Sequence, residues 1–279
     1  MRIGFIGAGK VGFTLGKYMT VHGADVSGYY SRSSGSAKEA AEFTCTKHYT
    51  ELKNIVEESD ALFITCPDGA IKNVWELIRQ YPLEGKCICH CSGSLSSAVF
   101  SEISLSKAYG YSIHPMFAVS DKRRSYMEIS KAFFTIEGNE KYLNYWCDLF
   151  KGFGNSVRTI TADCKVAYHC AAVFASNLVC GLFEEAVSLL KRCGFSDDEA
   201  GKAVAPIFLN NAESLAKYGA QKALTGPVER ADIETVKRHL DVLTGYEAEA
   251  YKNVSLMITD VAQRKNPARD YSELKEILG

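Results

Sequence analysis

The 279-residue sequence predicts an α/β chain, with a doubly wound, mostly parallel sheet followed by an all-helical second domain. Three observations point there. An apolar run at residues 2–6 leads into Gly7-Ala8-Gly9-Lys10-Val11-Gly12, then into helical periodicity through Leu15, Tyr18 and Met19. Strand-like and helix-like segments alternate up to about residue 160. Beyond that point the strand signals stop and only helical periodicity remains.

The elements follow in order. Residues 2–6 are a short buried strand, and the first helix opens after the glycine turn. Residues 24–30 form a second strand and 36–42 a short helix. The strand at 60–66 is ended by Pro67-Asp68, helical spacing covers 70–81, and the strand at 86–91 is closed by Ser92-Gly93. Residues 109–113 and 132–137 read as two more strands, and 155–160 as the last. Asp163 then caps a helix expected to run unbroken to about Arg192, with Gly194 as its stop. Helical segments at 197–218, 233–243, 246–265 and 272–278 complete the chain. The expected domains are therefore 1–160 and 161–279.

The chain is 47% apolar and 23% charged, with a net charge of −1. This is an ordinary globular balance, and it offers no basic face for nucleic acid. Lys122-Arg123-Arg124 reads as a solvated loop. The N-terminal segment is broken by glycines and is no signal peptide. No apolar run is expected to reach the roughly 20 residues of a membrane span. The ten cysteines form no CxxC pair, so they read as reduced thiols of a cytoplasmic protein. Cys87, Cys89 and Cys91 share a strand face, but no further Cys or His spacing completes a metal site. No metal is expected.

The first turn has the residues a pyrophosphate requires. Gly7 permits the tight turn, Gly9 lets backbone approach phosphate, and Gly12 lets helix and strand pack closely. Ala8, Lys10 and Val11 complete the turn, and the helix N-terminus offers free N–H groups to the anion. An NAD binder places a carboxylate about 20 residues further on, for the ribose 2′-hydroxyl. Here the second strand ends in Ser31-Arg32-Ser33, with no carboxylate. A guanidinium flanked by hydroxyls suits a 2′-phosphate, so the expected cofactor is NADP. Cys66, Pro67, Asp68, Ser92 and Gly93 follow strands at the sheet's carboxyl edge and are expected beside it.

The motifs recur as an ordered series. After the glycine turn and Ser31-Arg32 come Pro67-Asp68, His90-Cys91-Ser92-Gly93-Ser94 and His114-Pro115. Then come Tyr168-His169-Cys170-Ala171-Ala172-Val173-Phe174-Ala175-Ser176-Asn177 and Ala223-Leu224-Thr225-Gly226-Pro227-Val228-Glu229-Arg230-Ala231-Asp232, with His239 later. The series resembles a family of Rossmann-like proteins with a helical C-terminal domain of unknown function, provisionally described as NADP oxidoreductases. That family is related to pyrroline-5-carboxylate reductase, ketopantoate reductase and the deazaflavin-dependent NADP oxidoreductases, within the 6-phosphogluconate-dehydrogenase-like group. The resemblance implies the fold, NADP use and a homodimer formed through the helical domain. It supplies no substrate. Ala231 departs from the pattern, which often has Gly there, and a minor backbone change is expected.

Lys165, His169, Val173 and Asn177 fall four residues apart, so they share one helix face, with Ser176 beside it. Polar groups on an otherwise apolar helix need partners, either one another or a substrate. Hydride transfer to a carbonyl or imine carbon builds negative charge on the acceptor atom, and a donor must meet it. An imidazole exchanges protons near neutral pH, so His169 is the expected acid. Asn177 would orient the acceptor, and a desolvated Lys165 is the alternative acid. The resemblance supports this helix, since related dehydrogenases use a Lys and an Asn on it. His114 is read as a wall of the substrate cleft, with Thr225, Arg230, Asp232 and His239 as further substrate contacts. Arg230 would clamp a carboxylate, and Asp232 reads equally as a helix N-cap. The expected function is reduction of a small carboxylate-bearing carbonyl or imine compound by NADPH. The alternatives are a non-catalytic NADP-binding sensor or scaffold, and hydride exchange between NADP and a deazaflavin.

Overall fold

The computed structural model describes residues 1–279, which divide into a first unit, Met1–Phe174, and a second, Ala175–Gly279. The first unit is built on one sheet of eight strands: β1 (Ile3–Ile6), β2 (Val26–Tyr30), β3 (Lys47–His48), β4 (Ala61–Ile64), β5 (Cys87–His90), β6 (Tyr109–Met116), β7 (Phe133–Gly138) and β8 (Ser156–Thr159). Their spatial order is β3-β2-β1-β4-β5-β6-β7-β8, and only the β6–β7 pair is antiparallel. Strand order reverses between β1 and β4. In such Rossmann-like sheets, ligands bind outside the carboxyl ends of the strands at that reversal.

Six helices accompany the sheet: α1 (Lys10–Val21), α2 (Ser34–Thr44), α3 (Leu52–Glu58), α4 (Asp68–Ile78), α5 (Leu143–Gly152) and α6 (Lys165–Ala175). Strand side chains alternate between two cores, as a pleat covered on both faces requires. Phe5, Phe63 and Tyr111 join one core with Phe13 of α1, Ala37 of α2 and Trp146 of α5. Ile6, Leu62 and Ile88 join the other with Ile55 of α3 and Trp75 of α4. Cys87 and Cys89 are fully buried, and burial pushes both thiols up.

Seven strands lie where the sequence places them. The two-residue β3 and the helices α3 and α5 are additions. β6 also runs further than expected. β5 pairs with it only as far as His90↔Ser112, so residues 113–116 keep β7 alone as a neighbour. Pro115, which has no N–H to give a ladder, is accommodated at that edge.

The second unit is entirely helical: α7 (Asn177–Arg192), α8 (Asp197–Tyr218), α9 (Ala220–Ala223), α10 (Pro227–Arg230), α11 (Ile233–Val242), α12 (Gly245–Lys265) and α13 (Ser272–Leu278). A reciprocal Ser196–Glu199 capping box opens α8. Val236, Ala262, Leu274 and Leu278 form its main core, and Val187, Ala200 and Val204 a smaller one between α7 and α8.

Two expectations need correction. The helix after Asp163 is not continuous. Ser176 sits at φ −132° and ψ −75°, outside helical geometry, and separates α6 from α7. Strands do end at Thr159, but α6 stays with the first unit because Lys165 is anchored there, so the division falls after Phe174. The second correction concerns apolar length. Ala162–Arg192 is long and apolar enough to cross a membrane by length and composition, with a mean hydropathy of 1.6 over its most apolar window. The cause is local: residues 166–183 contain no Asp, Glu, Lys or Arg.

Candidate functional site

The glycine turn is shaped by its contact with β4. Gly7 has φ +113°, and a Cβ there would lie 2.9 Å from the Thr65 carbonyl carbon. Only glycine adopts that conformation at no steric cost. The Thr65 hydroxyl donates to the Gly7 carbonyl at 2.8 Å and holds the turn. A Cβ on Gly12 would strike the Thr65 hydroxyl and come within 2.6 Å of the Gly7 carbonyl. Gly9 differs: a Cβ there would meet nothing closer than 4.0 Å, because that side is open.

It opens on a cavity of about 490 Å³. Gly7, Ala8 and Gly9 line it together with Ser31, Arg32 and Ser33, which follow the adjacent end of β2. Cys66 and Pro67 also line it, with Leu52, Val74 and Leu77 supplying apolar lining. Burial raises the Cys66 thiol, so it stays protonated. Of the remaining turn residues, Lys10 is exposed at the start of α1, Val11 is half-buried and Gly12 is packed against Thr65. A glycine turn open at Gly9, and a cation between two serines lining the same cavity, fit the pyrophosphate and 2′-phosphate of a dinucleotide.

Asp68, Ser92 and Gly93 belong to a second cluster at the same sheet edge. Asp68, the first residue of α4, accepts from the Ser92 and Ser94 hydroxyls at 2.6 and 3.0 Å. This ties the ends of β4 and β5 together. Behind the tie, His90 is fully buried. Its Nδ1 accepts from the Ser92 amide at 3.1 Å, so Nε2 carries the proton donated to the Ser96 carbonyl at 3.1 Å. Desolvation holds this imidazole down at about 4, and the Lys165 cation adds to the shift.

Lys165 is 1% exposed. Its ammonium donates to the Ser92 carbonyl at 2.9 Å and to the Ser112 hydroxyl at 2.8 Å, both neutral partners. Desolvation lowers it to about 8, against the opposing fields of Glu137, Cys91 and Asp68. Glu137 is itself engaged with the amide and hydroxyl of Ser97, both at 2.7 Å.

Gly93 lies beneath two imidazoles. A Cβ on it would be 2.8 Å from His169 Nδ1 and 2.9 Å from His114 Nε2. His169 Nδ1 is buried without a hydrogen-bond partner. His114 Nδ1 is 2.7 Å from the Tyr168 hydroxyl. Burial lowers His114 to about 4, with Lys165 and His169 contributing in the same direction. So β5, β6 and α6 bring Ser92, Gly93, His114, Lys165 and His169 together. Sequence reading missed Tyr168, although its place beside His169 was a usable signal.

The other expected residues belong to the second unit. Asn177 begins α7 and accepts from the Ser176 hydroxyl at 3.0 Å. Asp232 caps α11, accepting from the Thr235 amide at 3.1 Å and its hydroxyl at 2.9 Å. Arg230 lies 3.9 Å from Asp232 in an exposed pair. His239 Nδ1 is 2.8 Å from the Tyr251 hydroxyl. Thr225 is exposed in the turn before Gly226 and α10. Ala231 holds the left-handed conformation that glycine favours, at φ 55° and ψ 43°.

The fold is Rossmann-like, and its cavity lies at the carboxyl edge of the sheet, where such folds bind nucleotides. Residues 2–92 match the family described as NADP oxidoreductase, coenzyme F420-dependent, and residues 132–258 match a domain of unknown function, DUF2520. The chain thus carries a domain of the NADP oxidoreductase, coenzyme F420-dependent type followed by a DUF2520 domain. A Thermotoga maritima protein of known structure is 25% identical, with a TM-score of 0.75 over 94% of this chain and 99% of the other. A Bacteroides fragilis protein, provisionally described as an NADP oxidoreductase, is 22% identical, with a TM-score of 0.73 over 93% and 98%. A pyrroline-5-carboxylate reductase from Coxiella burnetii shares the fold at 12% identity, with a TM-score of 0.63 over 94% and 97%. No functionally curated protein is significantly similar to the chain in sequence.

Proposed function

We propose that this chain is an NADP(H)-dependent reductase of a small carbonyl or imine compound bearing a carboxylate. The observation that carries the reading is the one cavity shared by the glycine turn and Ser31-Arg32-Ser33. The amides around Gly9 and the N-terminus of α1 would hold pyrophosphate. Arg32 and its flanking hydroxyls would hold the 2′-phosphate. Bound there, the nicotinamide would supply hydride. The chain's own part is to meet the charge that grows on the acceptor atom, and His114 and His169 stand above Gly93 to do so. Lys165 acts from behind, fixing the Ser92 carbonyl, because its buried ammonium is already engaged. Support comes from fold neighbours that include an Aspergillus terreus reductive aminase solved with NADPH.

Calorimetry with NADPH and NADH tests the cofactor. NADPH should bind at least about tenfold more tightly, a difference of about 1.4 kcal/mol. Arg32→Ala should remove most of that preference. If neither nucleotide binds, the reductase reading fails. The matched family description also names coenzyme F420, so reduction of that deazaflavin by NADPH is a second reading, tested by loss of its absorbance in the same mixture.

We also infer a homodimer formed through the second unit. Leu178 and Leu182 on α7 are 46% and 48% exposed, and Ile207 and Leu209 on α8 are 72% and 58% exposed. Single exposed leucines are ordinary, but clusters along neighbouring helices call for a cover. Sedimentation equilibrium without detergent should give twice the chain mass. A monomer would overturn this inference. A chain kept in solution only by detergent would point instead to lipid over Ala162–Arg192.

A further inference from the structure

We propose that Glu39 is a positioning residue for the 2′-phosphate contacts of the cofactor site. Through it, the connection between β6 and β7 (residues 117–132) straps α2 in place, and with α2 the Ser31-Arg32-Ser33 segment that leads into it. The role toward the cofactor rests on the NADP reading; the strap itself does not.

The sequence reads Lys122-Arg123-Arg124 as a solvated loop, but two of its three cations are engaged. Glu39 lies on α2 and divides its carboxylate between them. Lys122 Nζ donates to Oε2 at 2.5 Å, and Arg123 Nη2 donates to Oε1 at 2.6 Å. These hydrogen bonds, that from Lys122 foremost, lower the carboxyl, so it is ionised at neutral pH. Beneath them Phe13 of α1 and Phe43 of α2 stack with centroids 4.8 Å apart. The Lys122 ammonium lies 5.2 Å from the Phe13 centroid, and the Arg123 guanidinium 5.9 and 5.7 Å from those of Phe13 and Phe43. A cation over an aromatic face is attracted to it. A lone exposed ion pair contributes little, but here the same two cations grip a carboxylate and a ring pair that spans α1 and α2.

The strap is fastened to α1 without Glu39. The Thr14 hydroxyl donates to the Lys122 carbonyl at 3.4 Å. Further along, the buried Asn155 amide donates to the carbonyls of Ile129, Ser130 and Ala132, and its oxygen accepts from the Tyr18 hydroxyl at 2.7 Å. On α2, Glu39 is the one residue in an ion pair with the strap. Ser33 stands at the N-cap of α2 with no capping hydrogen bond, so the start of this helix lacks the restraint a cap gives. Loss of the Glu39 charge therefore frees α2 while α1 stays held. The segment from Ser31 to Ser33 is loosened, and the glycine turn is not.

The sign of the effect separates position from charge. Glu39 is an anion, so its field alone would make Glu39→Gln bind NADPH more tightly. Positioning predicts the reverse. Calorimetry should show Glu39→Gln lowering the NADPH-over-NADH preference about threefold or more, with NADH affinity unchanged. Lys122→Met with Arg123→Met breaks the contact from the strap's side and should give the same loss, and the triple variant no greater one. A preference that is unchanged or raised, or an equal loss for both nucleotides, would overturn the proposal. Hydrogen exchange needs no nucleotide. In Glu39→Gln the amides at the start of α2 should exchange faster while those of α1 do not change; identical exchange in α2 would overturn the strap. A wild type that bound neither nucleotide would defeat the cofactor reading, and with it the role of Glu39 toward the 2′-phosphate, in the first titration, while the exchange result would still decide the strap.

Discussion

Acidification from pH 6.5 to 4 should remove about 3 kcal/mol of stability through His90 alone. This ring is fully buried, and its folded value is about 4 against about 6.5 for a free imidazole. Above pH 6.5 the ring is neutral in both states, and the folded protein keeps its full stability. Below it the unfolded chain takes up a proton that the folded chain refuses, so stability falls until the folded ring titrates too. Geometry explains the refusal. A proton on Nδ1 would displace the Ser92 amide, leaving two donors facing each other inside the protein. His114 titrates over the same window and adds in the same direction. Urea unfolding at pH 7.5 and 4.5 measures the loss, with His90→Asn as the comparison, because an amide oxygen replaces Nδ1 without titrating. The variant should lose markedly less stability than the wild type between the two pH values. Equal losses would show that His90 plays no part in the acid response.

Gly12→Val should weaken NADPH binding at least about 100-fold, or about 2.7 kcal/mol. The new side chain would collide with the Thr65 hydroxyl and the Gly7 carbonyl, both parts of the turn itself. The collision is relieved only by moving α1 away from β1, which carries the helix N-terminus out of reach of an anion. Overpacking of this kind also costs the fold about 1–3 kcal/mol, so binding is measured where circular dichroism shows the variant folded. Unchanged affinity would mean that the nucleotide does not bind at this turn.

Local chemistry decides what the sequence made legible. The glycine turn announced itself because three glycines, a preceding strand and a following helix each leave a local mark. Arg32 was legible for the same reason, since a strand end is a position that chain order fixes. β3 left no mark because Lys47 and His48 are too few to show a period. α5 did have one, with Leu143, Trp146, Cys147 and Phe150 spaced as one buried face. The break at Ser176 was invisible to periodicity, which continues through it in phase. The meeting of His114 with Tyr168 was beyond reach, because residues 54 apart in sequence are brought together by tertiary packing alone.

The overhang of β6 beyond β5 bears on how such a site changes over time. His114 is mounted on a strand that is hydrogen-bonded to β7, whereas Gly93 and Ser94 lie on the long connection of residues 91–108 between β5 and β6, in which Gly93 is fixed by its contact with the two imidazoles and much of the remainder is exposed. A connection on the surface accepts new side chains and new lengths that a paired strand does not. Selection for a different substrate can therefore rework the exposed part of that connection while leaving His114 and the nucleotide turn untouched. Descendants of this architecture should differ in what they reduce before they differ in how the charge on the acceptor atom is met.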